Sequence, residues 1–472
     1  MSLTLNKHLL WRAGFGPMTE QVNLLESTSP DKVWKAMVQA SDKKYKPIDV
    51  VDSSIRGLMM GVNEAGKQVR SFSDEEKRML RVKSRDGIKT LNITWLNEMI
   101  HSDQQLREKV AFFWHGHFAS RNLNILYQQQ LLDIIRNNAL GNFADLLREV
   151  SKSASMIFFL NNNRNLKNRP NENFARELME LFTLGRGNYS ETDIKEAARA
   201  FTGWNTNLKG EFTFRKFQHD NGSKTFFGKT GNFGGDDIID IILSKPQTAS
   251  FIAGKFYRFF VNEIPDTEKI NWLATRFYKS NYEIKQLLND IFLSDWFYDT
   301  KNIGTRIKSP VELLVGMRRI LPMEPQKEES QLLIQRLLGQ VLFYPPNVAG
   351  WPGGKNWIDS SSLMFRLKLP KLIASNDIAQ VSLKDDDDVN MGKEMKQQKN
   401  AFQADINWAA YTGQFKKIKR EDLKTSLTKL MLQKDGLHLD KILSQFADES
   451  DRESYIQSVT LQLFSTPEYQ LC

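Results

Sequence analysis

PNENFARELMELFTLGRGNYSETDIKEAARAFTGW, residues 170–204, reads as a helix, a glycine turn and a second helix. Pro170 cannot continue a preceding helix, and Asn171 suits an N-cap. Phe174, Leu178, Leu181 and Phe182 fall at i, i+4, i+7 and i+8, the apolar stripe of a core-facing helix. Gly185 stands where a left-handed C-cap is wanted. Ser190 opens the second helix with Asp193 as its capping partner, and Ile194, Ala197, Ala198 and Phe201 form its buried stripe. The loop 186–189 is short, so the two helices pack against each other.

The polar side of the first helix carries Glu172, Asn173, Arg176, Glu177 and Glu180. Glu177 and Glu180 are three apart, which brings two carboxylates onto adjoining turns. That arrangement is repulsive unless a cation, a proton or an arginine separates them. It suits a catalytic pair. It equally suits a solvated face on which Arg176 and Glu172 make i, i+4 pairs.

Outward from this pair the pattern stays helical. The chain has 472 residues, 40% of them hydrophobic and 11% aromatic, enough for a large core. The expected fold is mostly α, a large multi-helix body with a small β-hairpin insertion near 211–227. There EFTFRKF alternates like a strand, HDNGSK turns, and Thr225 to Phe227 return. The expected organisation is a main body over 1–372, holding the hairpin and glycine-rich loop within 205–236. A mobile polar linker over 373–400 and a helical segment over 401–472, packing on the body, complete it. GKTGNFGGDD near 228–237 lacks the first glycine of a phosphate-binding loop, Ser223 standing in its place.

Lys plus Arg number 65 against 56 Asp plus Glu, a net charge of +9 spread along the chain without blocks. Nucleic-acid binding is therefore not expected. Cys472 is the only cysteine, which excludes internal disulfides and cysteine-built zinc sites. No stretch approaches the roughly 18 apolar residues of a membrane span. No signal peptide is evident, so the chain as written is expected to be cytoplasmic.

Three further stretches carry candidate chemistry. In FWHGHF, His117 continues the stripe of Leu106, Val110 and Phe113, while His115 lies about 200° away on a helix. The two bind one metal only if the helix breaks at Gly116, and a buried, hydrogen-bonded His117 is the plainer reading. His219 and Asp220 follow the first predicted strand. In PPNVAGWPGGKNW, prolines stiffen and glycines turn a loop carrying Trp351 and Trp357, which bounds a ligand cleft or plugs the body.

HLLWRAGFGP (8–17), FWHGHF (113–118), PNENFARELMELFTLG (170–185), AARAFTGW (197–204), PPNVAGW (345–351) and the final STPEYQL together resemble the bacterial domain-of-unknown-function family 1800 over essentially the whole chain. The resemblance implies a mostly α-helical protein without an assigned reaction. It also implies a partner from a second family that resembles sulfatases and alkaline phosphatases, and an exported location for many members. The absence of an evident signal in this chain departs from that location.

Three expectations follow. The first is a metal- or carboxylate-dependent, hydrolase-like enzyme with its site at 113–118, 170–204 and 219–220. Its catalytic residues would be Arg176, Glu177, Glu180 and Asp220, and a divalent metal would sit on His115, His117 and His219. Arg12, Arg199, Trp204, Trp351 and Trp357 would bind substrate. The second is a non-catalytic carbohydrate- or partner-binding protein that uses the tryptophans. The third is a helical scaffold in which the polar motifs form an ion-pair network.

Overall fold

A computed structural model describes residues 2–60, 72–374, 402–434, 436 and 439–472. The expected linker lies almost wholly outside the described residues. The chain is mostly helical with a few short antiparallel β-pairs. One hydrophobic core runs from Leu9 to Cys472 and includes the fully buried Trp11, Trp34, Trp95 and Trp114. Removing each such indole from water is worth roughly 1.5–3 kcal/mol. Among the described residues no helix is long and apolar enough to cross a membrane.

The helix Gln105–His117 threads this core and is buried on every side from Gln105 to His115. Its charged residues are therefore matched internally. Glu108 accepts from Trp95 Nε1 at 2.8 Å and pairs with Arg136 at 2.7 Å, while Lys109 pairs with Glu312. Around it pack the helices Asp74–His101, Ile125–Asn138, Pro246–Phe260 and Pro310–Ile320, the last two linked to it by aromatic or ionic contacts. The described residues after 402 join the body at several places. Strand Ala404–Ile406 pairs with Met323–Pro325, helix Arg452–Phe464 packs on Ser360–Ala374, and Ile307 bridges Leu471.

The helix pair expected over 170–204 is present, with one departure. Asn171 Oδ1 accepts from Asn173 N at 3.0 Å, and the α-helix runs only over Asn173–Glu177. Leu178–Thr183 then widens into a π-helix before Gly185 closes it with φ +82°. Ser190 and Asp193 make the expected reciprocal cap of Glu191–Ala200.

The β insertion pairs differently from expectation. Trp204–Thr206 returns against Phe212–Phe214, so the alternating stretch finds its partner upstream. Lys224–Phe226 forms a separate hairpin with Lys229–Gly231. Phe227 and Gly228 between them both have positive φ, the two-residue turn whose twist matches antiparallel strands.

Candidate functional site

Three of the sequence motifs meet at the end of the central helix. That helix continues through Gly116 unbroken, with Phe118 N donating to Trp114 O at 2.8 Å. His115 and His117 consequently face different surroundings. His115 Nε2 accepts from Phe343 N at 3.2 Å, and its ring lies against Trp95, Phe343 and Trp351. Burial brings its pKa down to about 3, so it is neutral with the proton on Nδ1. His117 Nε2 donates to Phe182 O at 3.1 Å, which leaves Nδ1 to accept from Lys255 Nζ at 3.2 Å. Burial, and then the charge of Lys255, hold His117 neutral as well.

Lys255 escapes the sequence reading because it lies in an aromatic helix. Its signal is that it interrupts the stripe Phe251, Lys255, Phe259 at i, i+4, i+8, where an apolar residue would otherwise stand. Its ammonium also donates to Leu181 O at 3.2 Å and lies 4.9 Å from the Phe251 ring. Burial, helped by Arg258, lowers its pKa to about 8. The π-helix supplies the oxygens that Lys255 and His117 use. Its wider turn sends both Leu184 N and Gly185 N to Met179 O, and Thr183 Oγ1 to Leu178 O at 2.6 Å. The Leu181 and Phe182 carbonyls meet the neighbouring side chains instead. Single-turn π segments of this kind are frequent at functional sites.

Glu177 stands at the start of that segment. It is half-buried, and among the described residues its carboxylate accepts no hydrogen bond and makes no ion pair. Burial, followed by the charge of Glu180, pushes its carboxyl above the ordinary range against the pull of Arg176. Its neighbours are all matched. Arg176 forks onto Glu191 at 2.9 Å and reaches Glu172 at 3.1 Å. Glu180 accepts from Tyr189 Oη at 2.7 Å and pairs with Arg186 at 2.8 Å, bonds that lower its pKa.

The remaining polar candidates form a separate cluster. Arg199 pairs with Asp220 at 2.8 Å and Glu196 at 3.0 Å, and donates to Ser223 O at 3.1 Å. Those bonds hold the Asp220 carboxyl below its usual range. His219 Nδ1 donates to Thr202 O at 2.9 Å, and its ring meets Phe214. His219 and Asp220 share no hydrogen bond or ion pair with His115, His117, Glu177 or Glu180 among the described residues. Trp204 is buried among Phe174, Phe201 and Phe212.

The tryptophan loop folds onto the central helix. Trp351 is half-buried with its ring 5.3 Å from that of His115, and Trp357 is buried. Arg12 is fully buried elsewhere and donates through Nη2 to Asn302 O at 3.0 Å. Among the described residues no group of three or more His, Cys, Asp or Glu is placed to hold a metal ion. Both nitrogens of His117 are engaged, and the three histidines have separate partners. The donor set expected from the sequence therefore does not fit one metal centre.

No curated protein and no solved structure matches the chain. Residues 8–471 match the model of a family described as a protein of unknown function, DUF1800, and with nearly all of its length covered the chain belongs to that family.

Proposed function

We propose that the protein is a hydrolase-like enzyme working by carboxyl-based acid–base chemistry, with Glu177 as the group that gives and takes the proton. One observation carries the reading: of the charged residues on this helix pair, Glu177 is half-buried and unmatched, with its pKa moved toward neutrality. A carboxyl in that state exchanges a proton at working pH more readily than a paired one. Lys255, which donates to the Leu181 carbonyl of the same π segment, is a second group shifted toward neutral pH. Shifts of this kind mark functional-site candidates.

The test uses the full chain with Glu177→Gln and a panel of chromogenic esters, phosphate esters and glycosides. Turnover of any of them by the wild type, lost in Glu177→Gln at an unchanged melting temperature, supports the proposal. Equal turnover by the variant refutes it.

The scaffold reading has its own support. Arg176, Glu180, Arg199 and Asp220 are each tied to neighbouring side chains, as an ion-pair network requires. A marked loss of melting temperature in Glu177→Gln would favour it. A sulfatase- or phosphatase-like partner is compatible with either reading, and co-purification at moderate salt tests for one.

A further inference from the structure

Three arginines from distant parts of the chain are buried beside the segment 302–312, which carries Glu312. Arg12 comes from helix Ser2–Ala13, Arg306 from the approach to helix Pro310–Ile320, and Arg366 from helix Ser360–Ala374. Relative exposures are 0% for Arg12 and Arg366, 6% for Arg306 and 0% for Glu312. Lys109 and Lys308 are buried beside them. Arg12 donates to Asn302 O at 3.0 Å and to Thr305 Oγ1 at 3.4 Å, Arg306 pairs with Glu312, and Arg366 donates to Lys308 O at 3.0 Å, so the three guanidinium groups gather along residues 302–312.

Glu312 is fully engaged. Its Oε1 takes Lys109 and Arg306, and its Oε2 accepts from Ser309 N at 2.8 Å. A second negative charge, at Cys472, acts on Arg12, Arg306 and both lysines and accepts a hydrogen bond from Arg306, and Glu263 acts on Arg12, whereas Arg366 feels Glu312 and neither of these. The cations remain in excess. The lysines have compensation of their own. Lys308 Nζ lies 3.7 Å from the Trp11 ring and 3.6 Å from the Tyr469 ring, and it donates to Tyr469 O at 2.6 Å. Lys109 sits 4.9 Å from the Phe15 ring and donates to Trp11 O at 3.2 Å.

The guanidinium groups are less well provided for. Arg12 uses Nη2, and Arg366 uses Nη1 to donate to Lys308 O at 3.0 Å. Arg12 Nε and Nη1, Arg306 Nε, and Arg366 Nε and Nη2 are buried with no hydrogen-bond acceptor among the described residues. An unmatched buried guanidinium is costly, because its charge cannot be relieved by deprotonation at ordinary pH. Several such unmatched donors along one buried segment suit an acceptor with many oxygens in a compact shape.

We infer that Arg12, Arg306 and Arg366 form an interior binding site for a small tetrahedral oxyanion of the phosphate or sulfate type. Arg366 can offer Nε and Nη2 as a fork along adjacent oxygens of such an ion, a geometry that ammonium groups lack, and Arg12 and Arg306 add further single N–H donors. The bound anion offsets the surplus charge and ties the N-terminal helix to the helices at 310–320 and 360–374. The site is independent of the assignment of Glu177.

The test is a titration of the full chain, dialysed into buffer free of phosphate and sulfate at pH 7, with inorganic phosphate while sodium chloride holds ionic strength constant. Calorimetry should show saturable binding near one ion per chain, and the melting temperature should rise in a way chloride does not reproduce. Sulfate should act similarly. Absence of saturable binding to the wild type overturns the inference, whether or not any variant folds. Arg12→Gln and Arg366→Gln should each weaken phosphate binding at least tenfold, and a folded Arg366→Gln with undiminished affinity also overturns it. Phenyl phosphate, too large for a closed interior, should stabilise little. Stabilisation equal to that by phosphate would place binding on the surface and reject the site.

Discussion

Lys255 donates to His117 Nδ1 at 3.2 Å, so the ammonium and the imidazole each fix the protonation state of the other. Nε2–H of His117 is committed to Phe182 O, and the remaining lone pair takes the lysine proton. Because Lys255 is folded with its pKa at about 8, against the ordinary lysine value of 10.5, the unfolded chain binds the extra proton between those values. Stability from this group therefore rises as pH climbs from about 8 to about 10. Lys109, also near 8, and Lys308, near 7, act in the same direction. Denaturant melts across pH 7.5–10 should show that rise, and Lys255→Met should flatten part of it. A curve for Lys255→Met superimposable on the wild type would remove Lys255 from the account.

The tryptophan loop reaches the central helix through backbone. A Cβ on Gly350 would lie 2.4 Å from Gly116 O, and Gly350 has φ +83°. Gly350→Ala therefore meets both a backbone clash and a strained conformation, with an expected cost of about 2–4 kcal/mol. Gly187 is the control, with φ +84° but nothing within 4 Å of its Cβ. Gly187→Ala should cost only about 1 kcal/mol, the strain alone. Equal costs in equilibrium unfolding would mean that the loop is not pressed onto the helix.

These contacts mark what could be read from the sequence. The Ser190 cap, the Gly185 stop and the apolar stripe of Phe174 and Leu178 follow from local rules and stand in the structure. The buried, hydrogen-bonded His117 follows from its place in the stripe of the central helix. The π-helix does not follow, since one turn of wider pitch leaves the same apolar residues inside and changes only which carbonyls are released. Strand pairing was similarly hidden. EFTFRKF shows alternation, but whether it pairs with Trp204–Thr206 or with Lys224–Phe226 depends on the turns and on Trp204 packing into Phe174 and Phe201. Lys255 was masked by its aromatic neighbours. The meeting of Arg12 with Arg306 and Arg366 is purely tertiary, because nearly the whole chain separates the first from the last.

Glu177 and Glu180 look alike in sequence and should respond oppositely to neutralisation. The Glu177 carboxyl is pushed above its unfolded pKa, so its ionisation at neutral pH opposes folding, and Glu177→Gln should leave stability unchanged or slightly raised. Glu180 accepts from Tyr189 and Arg186, which lower its pKa. Glu180→Gln should lose about 0.5–1.5 kcal/mol through weakened charge-assisted bonds. Parallel melts at pH 7 distinguish the two, and a larger loss for Glu177→Gln would reverse the assignment.

Arg199 joins the second helix to the β insertion through Glu196, Asp220 and the Ser223 carbonyl. Removing it leaves the half-buried Glu196 and Asp220 carboxylates with the Thr225 and Gly222 amides and the charge of Lys224, so Arg199→Met should cost about 1–3 kcal/mol. The same pairing dictates an acid signature. Asp220 has its folded pKa held below the unfolded value chiefly by the Arg199 hydrogen bond. Its contribution is therefore present above the unfolded carboxylate range and lost as pH falls through the folded value. In Arg199→Met that loss should shrink, and the difference between wild type and variant should narrow steadily below pH 4. A gap that stayed constant into acid would show that Arg199 acts through packing of its side-chain stem and not through its charge.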